Sequence, residues 1–432
     1  MPMGPAFGEP TPTSGFVDAL SSPAVAPFSS QDFATAETCS GCHPQHYAEW
    51  RTTAHAHAME DPVFQALIET QRRVIGTDLD RFCTQCHSAI GTRSLEITDG
   101  FVFDALSDVV REGVTCNSCH RITHVEREHN AGHVLDPLQP IQGRLGDSSA
   151  MHGASYNPGM ASSVLCGSCH DVRVGQLVLE SPYAEWQDSP AAARGQSCQG
   201  CHMPSYRGPA AALPDMPERD VHRHTFTGVE VPFGVEPGEE RDALERASEA
   251  LLQSAIALAI EPSIHLDAHD RMAVDVVVTN LVDGHNVPTG SSFFRQCWVA
   301  LEVRDADGTL LLSSGELDEH GDLYDGFHPE REARDPDLQL LSATLLDATG
   351  TPVLFPFQAA TRDDHGLTPL EARRLSYVVR VPAGTAFPLT ISARVRFRSL
   401  SPRLLRAIDR ADLSAELRIV DMARAETEIT PR

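Results

Sequence analysis

Ten of the eleven cysteines fall into one five-residue pattern that occurs five times: Cys39 to His43 (CSGCH), Cys83 to His87 (CTQCH), Cys116 to His120 (CNSCH), Cys166 to His170 (CGSCH) and Cys198 to His202 (CQGCH). Two thiols three residues apart, followed at once by an imidazole, suit covalent haem c. The thiols form thioethers to the two vinyl groups, and the histidine reaches the iron from the same turn. Chance would give one such pattern in about one chain in a hundred of this composition, so five copies exclude coincidence. The pattern therefore predicts that Cys39, Cys42, Cys83, Cys86, Cys116, Cys119, Cys166, Cys169, Cys198 and Cys201 hold five haems c, with His43, His87, His120, His170 and His202 as proximal iron ligands. Structural zinc is the bland alternative. It joins two half-sites into four ligands, and fifteen ligands in five identical triplets do not divide among tetrahedral sites. No residue is assigned a catalytic role.

The sixth position of each iron decides between electron transfer and chemistry. Fifteen histidines lie outside the motifs, so supply is not limiting. His124, four residues after His120, is expected to share its helix face and to serve a neighbouring haem rather than its own. His129 and His133 are equal candidates, and a vacant sixth position is the other alternative. His285 stands in a Gly-His-Asn-Val-Pro loop between two expected strands, where a turn histidine and an iron ligand are the competing readings.

The elements that must position these groups change character along the chain, and the expected class is α+β. Residues 1–36, rich in Pro, Ser, Ala and Gly, read as a flexible leader. Residues 37–228 read as a mostly helical and loop haem domain with short helices such as Pro62 to Val74. Five haems there leave little room for a side-chain core, so the porphyrins are expected to be the core. Residues 229–240 (VEVPFGVEPGEE) read as a linker. In residues 241–432 a helix from Arg241 presents Leu244, Ala247, Leu251 and Leu252 on one face. Strands then follow at Ala257 to Leu266, Met272 to Asn280, Trp298 to Arg304, Thr309 to Ser313, Leu375 to Val381 and Leu389 to Phe397. Asp305 to Gly308 (DADG) marks a hairpin turn. The strand spacing predicts an immunoglobulin-like β-sandwich.

Further residues carry a family resemblance. Tyr47, Trp50, Thr53, His55 and Ala56 form a Y-x-x-W-x-x-T-x-H-A frame, followed by EGVTCNSCH, MHGASYNP, LCGSCHD, YAEWQDSP, CQGCHMP, HTFTG and GHNVPTG. From about Thr38 to the C-terminus the chain resembles the multihaem cytochromes c related to the tetrahaem electron acceptor of hydroxylamine oxidoreductase, in the variant with a C-terminal β-domain. The resemblance implies an exported electron carrier. It also implies His55, His152 and His224 as distal ligands, and it favours His285 as one, which would make the β-domain part of the haem wire. None of the nine methionines falls at a matched distal position.

Composition narrows the partners. The formal net charge of −26, before any haem propionates, argues against nucleic acid and leaves redox proteins as the expected partners. All 34 basic residues are Arg, which fits coding bias and also bidentate pairing with propionates. Haem c is attached outside the cytoplasm, so a periplasmic or extracellular location is expected. No export signal is visible in the first 38 residues, which points to a removed signal or a misassigned start. No stretch has the length of a transmembrane helix. Cys297 reads as a buried strand residue, Glu316 to Asp325 as a solvated acidic loop rather than a Ca²⁺ site, and Tyr183 with Trp186 as packing. Three functions compete: an electron carrier with mostly bis-His haems, an enzyme acting on a small nitrogen or sulfur compound at one five-coordinate haem, and a subunit of an extracellular haem filament. No motif is CxxCK, which weighs against the lysine-ligated pentahaem nitrite reductases.

Overall fold

The computed structural model describes residues 16, 28–145, 151–263 and 265–430, and it divides into two compact units, residues 5–248 and residues 249–432. The division falls inside the helix Glu239–Ala255 rather than in the Pro/Gly/Glu stretch before it. Apart from Phe16 and residues 28–36, the expected leader lies outside the described residues. Its last part is folded: Phe33 is buried and Phe28 packs edge-on against it at 5.2 Å.

The first unit consists of short helices and two-stranded ribbons. Its longest complete helix, Pro62–Ile75, is set by Asp61 at the N-cap, which accepts from Val63 and Phe64 N–H groups, by Pro62 at the first turn, and by Gly76 at φ +82° past the end. Phe64 and Ile68 on its inner face join Phe33, Met59, Ile90, Ile97, Phe101, Val110 and Leu135 in a side-chain cluster. This corrects the expectation that porphyrins alone make the core. The motif helices are too short to carry long apolar faces, and the apolar residues between motifs gather beside them.

In the second unit, strands β1 (Ile256–Pro262), β2 (Arg271–Asn280), β3 (Gln296–Arg304), β4 (Leu310–Ser314), β5 (Ala372–Arg380), β6 (Leu389–Arg398) and β7 (Val420–Ile429) form two antiparallel sheets. One runs β5-β2-β1 and the other β4-β3-β6-β7, with the short strand Gln339–Leu340 also on β3. Alternation buries one face of each: Met272, Val274, Val276 and Val278 on β2, and Ile391, Ala393, Val395 and Phe397 on β6. The DADG turn joins β3 to β4, with Gly308 at φ +83° donating to Asp305 O at 2.9 Å. Cys297 is buried on β3 against Met422, and desolvation pushes its thiol up to about 12.

The loop Glu316 to Asp325 is not a solvated face throughout. Asp322 and Asp325 are buried, Asp322 paired with Arg406 and accepting from Arg403 N–H at 3.0 Å, Asp325 accepting from Arg403 Nη1 at 2.9 Å. These carboxylates are spent on neighbouring guanidinium groups, which suits a structural clamp better than a cation cage.

Leu301 is fully buried on β3, between β4 and β6. Leu301→Ala is expected to cost about 2–5 kcal/mol. In the haem-loaded full chain this should appear as a loss of amide-exchange protection of roughly 30-fold or more in β3, with the haem motifs unchanged.

Candidate haem-binding site

Each motif is a helical turn, which puts its two cysteines and its histidine on one side. Cys116–His120 and Cys198–His202 are helices in themselves, and Asp80–His87 ends on the second motif. At the first and fourth motifs the histidine N–H closes the turn on the first cysteine's carbonyl at 2.9 Å, His43 on Cys39 and His170 on Cys166. Capping sets the start of two of them. Thr115 and Ser118 form a capping box before the third motif, and Ser197 Oγ accepts from Gly200 N–H at 3.3 Å in the fifth. None of the motif cysteines is in a disulfide.

Four of the five motif histidines are held through Nδ1 by a backbone carbonyl: His43 by Ala210 at 2.7 Å, His87 by Ala58 at 3.0 Å, His120 by Gln142 at 2.7 Å and His202 by Thr227 at 3.0 Å. A carbonyl only accepts, so Nδ1 carries the proton and Nε2 keeps the lone pair a metal needs. Desolvation moves the His87 and His120 imidazoles below their ordinary range, which favours the neutral ligand form.

Three motif histidines face another imidazole. Ring centroids are 6.1 Å apart for His170 and His55, 6.4 Å for His43 and His152, and 6.2 Å for His120 and His224. Metal–imidazole bonds of about 2.0–2.1 Å put the centroids of two rings on opposite sides of one metal roughly 6.3 Å apart. All three pairs meet that spacing. The partners also keep a fixed tautomer: His224 Nδ1 donates to His222 O at 3.0 Å, and His152 Nδ1 to Gly153 O at 2.5 Å. Desolvation pushes His55 down to about 4, and desolvation with the neighbouring His120 and His46 pushes His224 to about 3.

The residues around these histidines explain the sequence frames. Trp50 Nε1 donates to Val114 O at 2.8 Å, and Val114 N–H donates to His55 O at 3.0 Å, so the segment bearing His55 is stitched to the segment before the third motif. Gly113, at φ +68°, lies against His55 O and Ala58, where a side chain would crowd both. Glu49 accepts from His224 N–H at 2.7 Å and from Arg223 Nη1 at 2.6 Å, tying the third pair to the helix Pro44–Trp50. Phe226, at the unusual φ of +43°, sets its ring edge-on to His55 at 4.7 Å and to His224 at 5.8 Å. Glu49, Arg223 and Phe226 were not singled out from the sequence, although Phe226 stands in the HTFTG frame.

Cysteines of different motifs lie close together. Cys39 interacts with Cys116, Cys86 with Cys169 and Cys166 with Cys198, and Cys119 acts electrostatically on Cys166. The motifs therefore adjoin as first to third, third to fourth, and fourth to both second and fifth, a connected set with the fourth at its hub. Tyr183 and Trp186 serve that hub as packing. Their rings stack at 5.7 Å, and Tyr183 lies on Gly167 inside the fourth motif.

The structure does not group every expected ligand. His124 lies on the strand Ile122–Val125 beyond the end of the third-motif helix, with its imidazole 58% exposed and 3.7 Å from Glu126. This corrects the helical placement: the helix stops at His120, and the chain turns into a β-ribbon. His285 lies in the second unit, where its Nδ1 donates to Asn286 O at 2.8 Å. His46 sits 4.7 Å from His224 but follows His43 on one helix, so it cannot reach the far side of the same haem.

The donor set thus fits haem c: paired thiols on helical turns, imidazoles held through Nδ1, and facing rings at two-bond spacing. Residues 38–121 match the family model described as cytochrome c554 and c-prime, which together with the five motifs supports a multihaem cytochrome c. Among solved structures it is similar to a penta-haem cytochrome c552 from Thermochromatium tepidum, with a TM-score of 0.63 and 21% identity over 92% of this chain and 99% of that one. No curated protein matches the chain.

Any Cβ on Gly167 would overlap the Tyr183 ring. Gly167→Ala is expected to lower haem occupancy at Cys166 and Cys169, read by mass spectrometry of proteolytic fragments, and Tyr183→Leu in the same chain should restore it. Full occupancy in the single variant would contradict the packing role.

Proposed function

We propose that the chain is an exported pentahaem c-type cytochrome that passes electrons between redox proteins of the periplasm or cell surface through mostly bis-His haems. The observation that carries this reading is the set of three opposed imidazole pairs, His170 with His55, His43 with His152 and His120 with His224. Bound haem supplies a one-electron iron couple, and two strong axial ligands keep its geometry nearly constant across that change. The chain's own residues orient the imidazoles through backbone carbonyls, and they bring cysteines of different motifs close together. The five motifs, and the similarity to the penta-haem cytochrome c552 of Thermochromatium tepidum, support the count of five.

Residues 249–432 are proposed to form an immunoglobulin-like sandwich, supported by two antiparallel sheets that each bury one face. His285 is the ligand candidate within them. Among the described residues no helix is long and apolar enough to cross a membrane.

Expression with an export signal and a haem-attachment system should give an intact mass with five covalent haems. His55→Ala, His152→Ala and His224→Ala should each turn one haem from low-spin to high-spin in paramagnetic resonance without changing the haem count. A lower count, or three variants with the wild-type spin count, would contradict the reading. Turnover of nitrite or hydroxylamine at a useful rate by the wild-type protein would favour the enzyme reading instead.

A further inference from the structure

The ribbon after the third motif delivers one more histidine to the interior. His133, on the strand His133–Leu135, is 4% exposed, and its Nδ1 lies 3.0 Å from Ser168 Oγ. That hydroxyl gives its one proton to Leu165 O at 2.7 Å, so it accepts from His133 and fixes the proton on Nδ1. Nε2 therefore carries a lone pair, and it is buried without a hydrogen-bond partner. An unmet buried acceptor is destabilising and rare in native proteins. A metal would satisfy it, and the tautomer is the one the motif histidines adopt. The two other histidines of this stretch do not share the arrangement. His124 is exposed, and on the partly exposed His129 the buried unpartnered atom is Nδ1.

Two neighbours indicate which haem is concerned. Ser168 and Cys169 belong to the fourth motif, but its His170 already faces His55. Cys169 O lies 4.0 Å from Cys86 Sγ of the second motif, whose His87 stacks on Phe64 at 4.0 Å rather than facing an imidazole. Arg93 lies within electrostatic reach of Cys86, Cys169 and His133, is 7% exposed, and has Nη1 buried without a partner while Nη2 donates to Ala131 O. A buried guanidinium with an open nitrogen calls for an anion, and the propionates of a haem are the anions such a site would hold.

We propose that His133 Nε2 is the distal iron ligand of the haem carried by Cys83, Cys86 and His87, with Arg93 beside it facing a propionate. The assignment rests on the pentahaem reading, and mass separates the two: covalent haem count tests that reading, and spin state at constant count tests this one. In the five-haem protein, His133→Gly should add one high-spin haem, and added imidazole should return it to low-spin. An unchanged spin count with five haems attached would overturn the proposal. His133→Met keeps a ligating side chain of similar volume, so it should leave all haems low-spin and raise the potential of one of them. Unchanged potentials would overturn it equally, and this holds even if the glycine variant fails to mature. Replacing Cys83 and Cys86 by Ser in the His133→Gly chain should abolish the new high-spin signal. Its persistence would move His133 to another haem.

Discussion

Two imidazoles can share one iron only if their Nε2 lone pairs face each other across about 4 Å, twice a metal–nitrogen bond, and the first unit is built around that requirement. The covalent attachment of haem is local to each CxxCH turn. The opposed imidazole is not. His55 comes from the stretch after the first motif to face the fourth, His152 comes from between the third and fourth to face the first, and His224 comes from beyond the fifth to face the third. An iron held by such a pair would join segments remote in sequence, as a cross-link does, and the short helices and two-stranded ribbons would need to supply little regular structure of their own.

Holding these rings apart at a fixed tautomer is work done by the backbone. Carbonyls of Ala210, Ala58, Gln142 and Thr227 orient four motif rings. Those of His222 and Gly153 orient two of the rings that face motif histidines. Glu49 and Trp50 fasten the segments that bear them. The same turns that orient the rings bring cysteines of different motifs together, so the orientation of the rings and the closeness of the motifs arise from one set of contacts.

The motifs were legible because thioether chemistry fixes a five-residue spacing that no fold can alter. His55, His152 and His224 were named only through the resemblance, since nothing in spacing tells which distant ring will face which motif histidine. His124 illustrates the limit: counting four residues from His120 assumes a continuing helix, and the chain leaves it at that residue. His133 was one of several candidates, and what separates it is burial, foreshadowed only by the apolar Val134 and Leu135 beside it. In the second unit, period-two alternation located β2, β3, β5 and β6 within a few residues. It missed β7, whose Arg424, Glu426 and Glu428 alternate with small or polar residues that carry little apolar signal. The buried carboxylates Asp322 and Asp325 were taken for a solvated face because their arginine partners lie far along the chain.

The central claim is that opposed histidine pairs ligate at least three irons. Near-infrared magnetic circular dichroism of the oxidised protein tests it directly, because charge-transfer bands of low-spin ferric haem distinguish two-histidine ligation from histidine with methionine or with a weaker oxygen ligand. The account predicts bis-His intensity equivalent to three haems or more in the five-haem protein. Intensity equivalent to two or fewer, with the remainder showing methionine or oxygen ligation, would contradict it.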